Sequence, residues 1–127
     1  MKNTFLILLF ILSGLCLSSQ DIKFKKGVIS IDETPCLNHD RVNNTITFYD
    51  LKGEELMSLN YMNGGPTGSY ARIVFVKEKL KVTSSTSLYV KTDFIKHLVR
   101  SGAFSNCAIN REKLESFILK FDENLDR

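Results

Sequence analysis

The chain has no tryptophan, two prolines and two histidines in 127 residues. The histidines, His39 and His97, each lack a second His, Cys or carboxylate at ligand spacing on one helix face, so no metal site is expected. Gly-x-Ser-x-Gly, His-Glu-x-x-His and a Gly-Lys-Ser/Thr phosphate loop are all missing. The hydrolase, metalloprotease and nucleotide chemistries that use them therefore have no support, and no cofactor is expected. Charge of one sign is also in short supply, with 17 Lys and Arg against 14 Asp and Glu for a net charge of +3. The one tight basic cluster is Lys23, Lys25 and Lys26, which reads as a solvated turn. Neither nucleic acid nor an anionic membrane surface is favoured as a partner.

Long apolar runs are missing too. The stretch from Phe5 to Leu12 is too short for a membrane span, and no transmembrane segment is expected in the mature chain. With Lys2 before it and Ser13, Gly14, Cys16, Ser18 and Ser19 after it, the run has the layout of a secretory signal peptide cut between Ser18 and Gln20. Residues 1–20 are therefore set apart, and residues 21–127 are expected to form one domain carrying +2. A periplasmic or secreted address follows. Cys16 suggests a lipid-attachment site, but Leu15 stands where that chemistry wants a small residue, so lipid anchoring is the lesser reading.

Two cysteines remain after such processing, Cys36 and Cys107. In an oxidising compartment they are a candidate disulfide that closes a loop of about 70 residues, worth roughly 4 kcal/mol in the chain-entropy model. Two separately buried thiols are the alternative. Cys36 also lies near His39 and Asp40 in sequence, which suggests an activated nucleophile. Adjacency along an extended chain is weak support for such geometry, and a disulfide would abolish the thiolate.

The centre of the chain is the stretch from Asn44 to Met62. Two apolar runs flank Asp50-Leu51-Lys52-Gly53, a β-hairpin signal. A type I turn with a glycine bulge sets Asp50 opposite Glu54 and Phe48 opposite Leu56; a two-residue Lys52-Gly53 loop sets Phe48 opposite Met57 instead. Turn chemistry favours the bulge, whereas hydrophobic alternation favours the second register; of the two, the bulge is the expected one. Both faces of the hairpin are apolar, which places it inside a sheet.

Before the hairpin, residues 22–24 and 28–31 read as strands joined at Lys25-Lys26-Gly27. Asp32 to Pro35 reads as a turn, Cys36-Leu37 as a short edge strand, and residues 38–44 as polar and turn-like. Asn43-Asn44-Thr45 matches a glycosylation acceptor. After the hairpin, Asn63, Gly64, Gly65, Pro66, Thr67, Gly68 and Ser69 form a flexible connecting loop and a candidate contact surface. The loop leads into an interior strand from Tyr70 to Val76, not into a helix, so a phosphate cradle is disfavoured. A last strand is expected around Leu80 and Val82. Tyr49, Tyr61, Tyr70 and Tyr89 are read as packing groups, with a binding face as the alternative.

Beyond the polar run from Thr83 to Ser87 the period changes from two to near 3.6. Val90, Phe94, Ile95 and Leu98 share a helical face, with Thr92 or Asp93 as the cap and Gly102 as the stop. A second helix starts at Asn110 and carries Leu114, Phe117, Ile118 and Phe121 on one stripe. Such a face must lie on something, and the sheet is available. The expected fold is α+β, an antiparallel meander of about six or seven strands followed by two C-terminal helices packed on one sheet face.

The layout of signal peptide, strand-rich first part, Asp-x-x-Gly hairpin and closing helix pair resembles small exported bacterial proteins of unknown function, a resemblance that implies no activity. The leading expectation is an exported, non-catalytic binding or interaction module, with the sheet edge and the 63–69 loop as contact surfaces. One alternative is an inhibitor or immunity-type partner of another exported protein. The other is a small hydrolase with Cys36 or a Ser as nucleophile.

Overall fold

The structure is a computed structural model that describes residues 21–66 and 68–126. The expected signal peptide, its cut site, Cys16, and Thr67 of the candidate loop lie outside the described residues. Seven strands pair antiparallel in chain order: β1 (Ile22–Lys25), β2 (Val28–Ile31), β3 (Thr34–Val42), β4 (Thr45–Tyr49), β5 (Glu55–Gly65), β6 (Gly68–Phe75) and β7 (Leu80–Ser84). Helices α1 (Lys91–Arg100) and α2 (Arg111–Phe121) follow, with a small hairpin of β8 (Phe104–Ser105) and β9 (Ala108–Ile109) between them. This is the expected α+β meander.

Strand alternation puts Ile46, Leu59, Ile73 and Val82 in one row across β4 to β7, all buried. Phe94 of α1 lies between Phe48 and Phe75, with ring centroids 5.8 and 6.3 Å away. On α2, Leu114 and Phe117 are fully buried, while Ile118 and Phe121 pack against the same core. Each of the two fully buried side chains contributes roughly 1.5–3 kcal/mol as an upper value. The α2 stripe thus covers the sheet as its periodicity predicts. The Asn110 side chain caps α2 by accepting from the Lys113 N–H at 3.1 Å.

Two bulges shape this face. Between β2 and β3, Ile29 pairs with Leu37 but Ser30 pairs with Pro35, so Cys36 is the extra residue. Between β4 and β5, Tyr49 pairs with Glu55 but Phe48 pairs with Met57, so Leu56 is extra. A regular strand would send consecutive side chains to opposite faces. Each bulge instead allows two neighbours to be buried, Cys36 with Leu37 and Leu56 with Met57. Cys36 meets Cys107, and Leu56 shares a crevice with Cys107, Ala108 and Ile109. The β8–β9 hairpin therefore sits where both bulges aim.

Several local expectations change. The expected bulge register holds only beside the turn, at Tyr49–Glu55, and the second register holds over the four pairs from Phe48–Met57 to Thr45–Asn60. The Asp50 N–H donates to the Glu54 carbonyl and Gly53 takes a φ of 89°, as the type I turn with a glycine bulge requires. One residue further on, the second bulge restores Phe48 opposite Met57, correcting the Phe48–Leu56 pairing. Residues 34–42 form a nine-residue interior strand, not a turn, a short edge strand and a polar loop. Pro35 is tolerated because it flanks the bulge, where the ladder is already interrupted. The 63–69 segment is mostly strand, since β5 runs to Gly65 and β6 starts at Gly68. The cap of α1 is Val90, with no side-chain hydrogen bond, and Thr92 and Asp93 already lie within the helix. Gly102 takes the left-handed stop, with a φ of 82°.

Candidate functional site

Cys36 and Cys107 are joined in a disulfide, with a Cα–Cα distance of 4.9 Å and a sequence separation of 71. Asn106 and Cys107 form the two-residue turn of the β8–β9 hairpin, with φ of 52° and 58°. Left-handed backbone costs a residue with a Cβ about 1–2 kcal/mol, so Cys107 is held there by its crosslink and its hairpin together. The bonded Cys36 has no thiolate to offer. His39 lies between the rings of Phe24 and Phe48, at 6.2 and 6.1 Å, and its Nε2 is buried without a hydrogen-bond partner. Burial, then the nearby Lys91 charge, lowers the His39 pKa, and Asp40 opposes this only in part. Asp40 pairs with Thr47 on the other sheet face, so the Cys36, His39 and Asp40 set does not assemble.

The opposite end of the sheet is open. Here the end of β3, the β3–β4 turn and the β5–β6 hairpin meet the segment before α1 around a polar cleft of about 340 Å³, lined by Arg41, Asn44, Tyr61, Asn63, Ser69 and Tyr89. Arg41 shares the helix-side face with His39 but is solvent exposed. Its guanidinium lies 5.3 Å from the centre of the Tyr61 ring, and its Nε donates to the Asn43 carbonyl at 3.2 Å. The Tyr61 hydroxyl donates to the Tyr89 carbonyl at 2.8 Å, and the two rings are tilted with centroids 5.0 Å apart. Burial raises the Tyr61 pKa against the opposing pull of Arg41. The Ser69 hydroxyl donates to the Asn63 side-chain oxygen at 3.1 Å, tying β6 to β5 at the rim. Arg41 is the single charged residue in this lining.

Two residues of the candidate loop, Asn63 and Ser69, thus enter a concave surface, while Gly64, Gly65, Pro66 and Gly68 build the hairpin tip beside it. Gly65 is required there. A Cβ at this position would stand 2.6 Å from the Tyr70 ring and 2.9 Å from the Gly68 carbonyl. The four tyrosines divide: Tyr61 and Tyr89 pair in the cleft, Tyr70 is buried, and Tyr49 pairs with Glu55 near the other end. Arg41 and Asn44 carried no signal in the sequence, since both sit in a segment read as a polar turn. His97 packs on Phe121 with centroids 4.9 Å apart, and Asn43 is exposed in the β3–β4 turn. Among the described residues no three His, Cys, Asp or Glu side chains converge as a metal site. No helix among them is long and apolar enough to cross a membrane.

The segment after α2 forms a third polar constellation, which sequence reasoning missed. It runs over the β7 edge, where the Glu123 N–H donates to the Thr83 carbonyl at 2.9 Å. Asp122 accepts from the Thr83 N–H and hydroxyl, and Glu123 accepts from the hydroxyls of Ser84, Ser85 and Thr86. Asp126 accepts from Arg72 Nε and Nη2 at 2.8 and 2.9 Å, from Lys81 at 2.8 Å and from the Tyr70 hydroxyl at 2.6 Å. The Arg72 guanidinium, joined by Lys81 and Tyr70, holds the Asp126 carboxyl far below the usual carboxylate range despite its burial. Burial pushes Glu123 upward, but its hydroxyl partners outweigh that and its pKa is lowered. The acids at 122, 123 and 126, set against the Ser/Thr run and the cations of β6 and β7, were the available signal. These groups satisfy one another, so the constellation is a clasp on the sheet edge.

The chain matches no protein-family model, no curated protein and no solved structure. A functional reading therefore rests on the geometry of the cleft.

Proposed function

We propose that the protein is an exported, non-catalytic binding module that takes a small polar ligand in the cleft between Arg41 and Tyr89. One observation carries the reading: a charged fork, two amides, a hydroxyl and two aromatic rings line one concavity at the end of the sheet away from the disulfide. Its size lies at the low end of small-ligand sites, about 300–1,000 Å³. The side chains are held before any ligand arrives, Arg41 by Asn43 and the Tyr61 ring, Tyr61 by Tyr89, and Ser69 by Asn63. Preorganisation of this kind lowers the entropic cost of binding. The serine of the lining, Ser69, donates to Asn63, and no imidazole or carboxylate lines the cleft to act as its base, so a hydrolytic site has no support there. The disulfide supports an exported address, periplasmic or secreted.

The test is a solution screen of sugars, amino acids and nucleosides against the ¹⁵N-labelled, disulfide-bonded protein. The expected result is amide shifts concentrated at Arg41, Asn44, Tyr61, Asn63, Ser69 and Tyr89, with the β8–β9 hairpin unmoved. Shifts that map to any other surface would overturn the reading.

A further inference from the structure

Resting on that reading, we infer that the ligand is a carboxylate-bearing sugar, its acid group taken by Arg41 and its hydroxyls by the amides and the serine hydroxyl around it. The charge follows from what the lining holds. Arg41 is its single ionised group, and no ion pair engages it among the described residues. The adjacent carboxylate along the strand, Asp40, belongs to the opposite sheet face. With Nε tied to Asn43 and the guanidinium lying over Tyr61, the remaining N–H groups form a fixed fork, and a planar carboxylate is the partner that matches such a fork with two parallel hydrogen bonds.

The sugar follows from the rest of the lining. The Asn44, Asn63 and Ser69 side chains are neutral groups that both donate and accept, the complement of a ring carrying several hydroxyls. An apolar ligand would take water from the donors and acceptors that the Ser69–Asn63 bond leaves free and offer them no partner, which is costly. A bare anion would leave most of them unused. The Tyr89 ring beside them offers an apolar wall for the C–H face of a sugar, in the way aromatic residues serve amphipathic ligands.

Three probes separate these contributions: glucuronate carries both features, glucose only the ring, and acetate only the carboxylate. Titrated into the disulfide-bonded protein and read from the amide shifts of Arg41, Asn63 and Tyr89, glucuronate is expected to bind about tenfold more tightly than either of the others. Arg41→Gln is expected to bring glucuronate down to the affinity of glucose, and Tyr89→Ala, which removes the ring wall, to weaken both sugars while sparing acetate. Spectra away from the cleft report whether each variant keeps its fold. Should Arg41→Gln disturb it, Arg41→Lys retains the charge, loses the fork and is expected to give up most of the margin. Equal affinity for glucose and glucuronate, or a margin that survives Arg41→Gln, overturns the assignment of the carboxylate and leaves the cleft as the binding surface. Equal affinity for acetate and glucuronate overturns the sugar. Silence of the cleft amides to all three overturns the whole inference, whereas the proposed function falls only if the wider screen maps elsewhere.

Discussion

The two ends of the sheet are built on opposite terms. At one end the chain spends two bulges, a left-handed turn and a disulfide to pin the β8–β9 hairpin against β3 and β5. At the other end nothing is covalent: Arg41, Tyr61, Tyr89, Asn63 and Ser69 hold one another through single hydrogen bonds and ring contacts while staying in reach of solvent. The first end concentrates stability in covalent and apolar links. The second keeps polar groups ordered without burying them, which is what a ligand surface needs.

The sharpest way to break this contrast is to remove the crosslink. Replacing Cys36 and Cys107 together with Ala is expected to lower unfolding free energy by about 4 kcal/mol in the chain-entropy model. Denaturant titration of the variant and the oxidised wild type checks this. Cleft amide shifts that stay in place in the folded variant would sharpen the contrast, and a loss under about 1 kcal/mol would break it.

The clasp at the β7 edge comes next. Asp126→Asn removes a charge that is only 12 % exposed and leaves Arg72 and Lys81 facing a neutral group. A loss of roughly 1–3 kcal/mol at neutral pH is expected from thermal or denaturant unfolding. Because the folded pKa of Asp126 lies below its ordinary value of 3.8, the unfolded chain binds the proton more readily. The contribution is therefore complete above about pH 4 and lost as the pH falls further. The variant should lose that part of the acid sensitivity.

A smaller effect belongs to His39. Its folded pKa lies below the ordinary 6.5, so protonation favours the unfolded chain, and stability is expected to decline as the pH drops below that value. His39→Phe, which keeps a ring between Phe24 and Phe48, should flatten the slope of unfolding free energy between pH 7.5 and 5.5. An unchanged slope would show that the imidazole is solvated instead. Smallest of all is the effect of Arg41→Gln on stability, about 0.5–1 kcal/mol for an exposed cation over a ring. In the same variant the effect on binding should be large, and that inversion distinguishes the open end from the pinned one.

What could be read from residues alone followed the strength of local patterns. The α2 stripe of Leu114, Phe117, Ile118 and Phe121, its Asn110 cap, the Gly53 turn and the Gly102 stop all act within a few residues, so each was visible in advance. Residues 38–42 look turn-like in sequence because an interior strand can carry Asn, His, Asp and Arg when one face is solvated and its last three residues are exposed. The cleft suffered most from this, since Arg41 and Asn44 lie in or beside that segment. Of its residues, Asn63 and Ser69 carry a loop signal in the sequence, whereas Tyr61 and Tyr89 read there as packing groups.

The amino-acid sequence by itself determined the class of the fold, the strands-then-helices order of its main elements, the stop of α1 and the start of α2, because period, turn residues and caps are short-range preferences. Only the tertiary structure decided that Cys36 meets Cys107, that two bulges reset the register, that residues 122–126 clasp the β7 edge, and that Arg41 lies over Tyr61. The crosslink joins residues 71 positions apart, and the clasp residues up to 56 apart. Contacts at such separations depend on how strands register and helices dock over the whole domain, and no window of neighbouring residues contains that information.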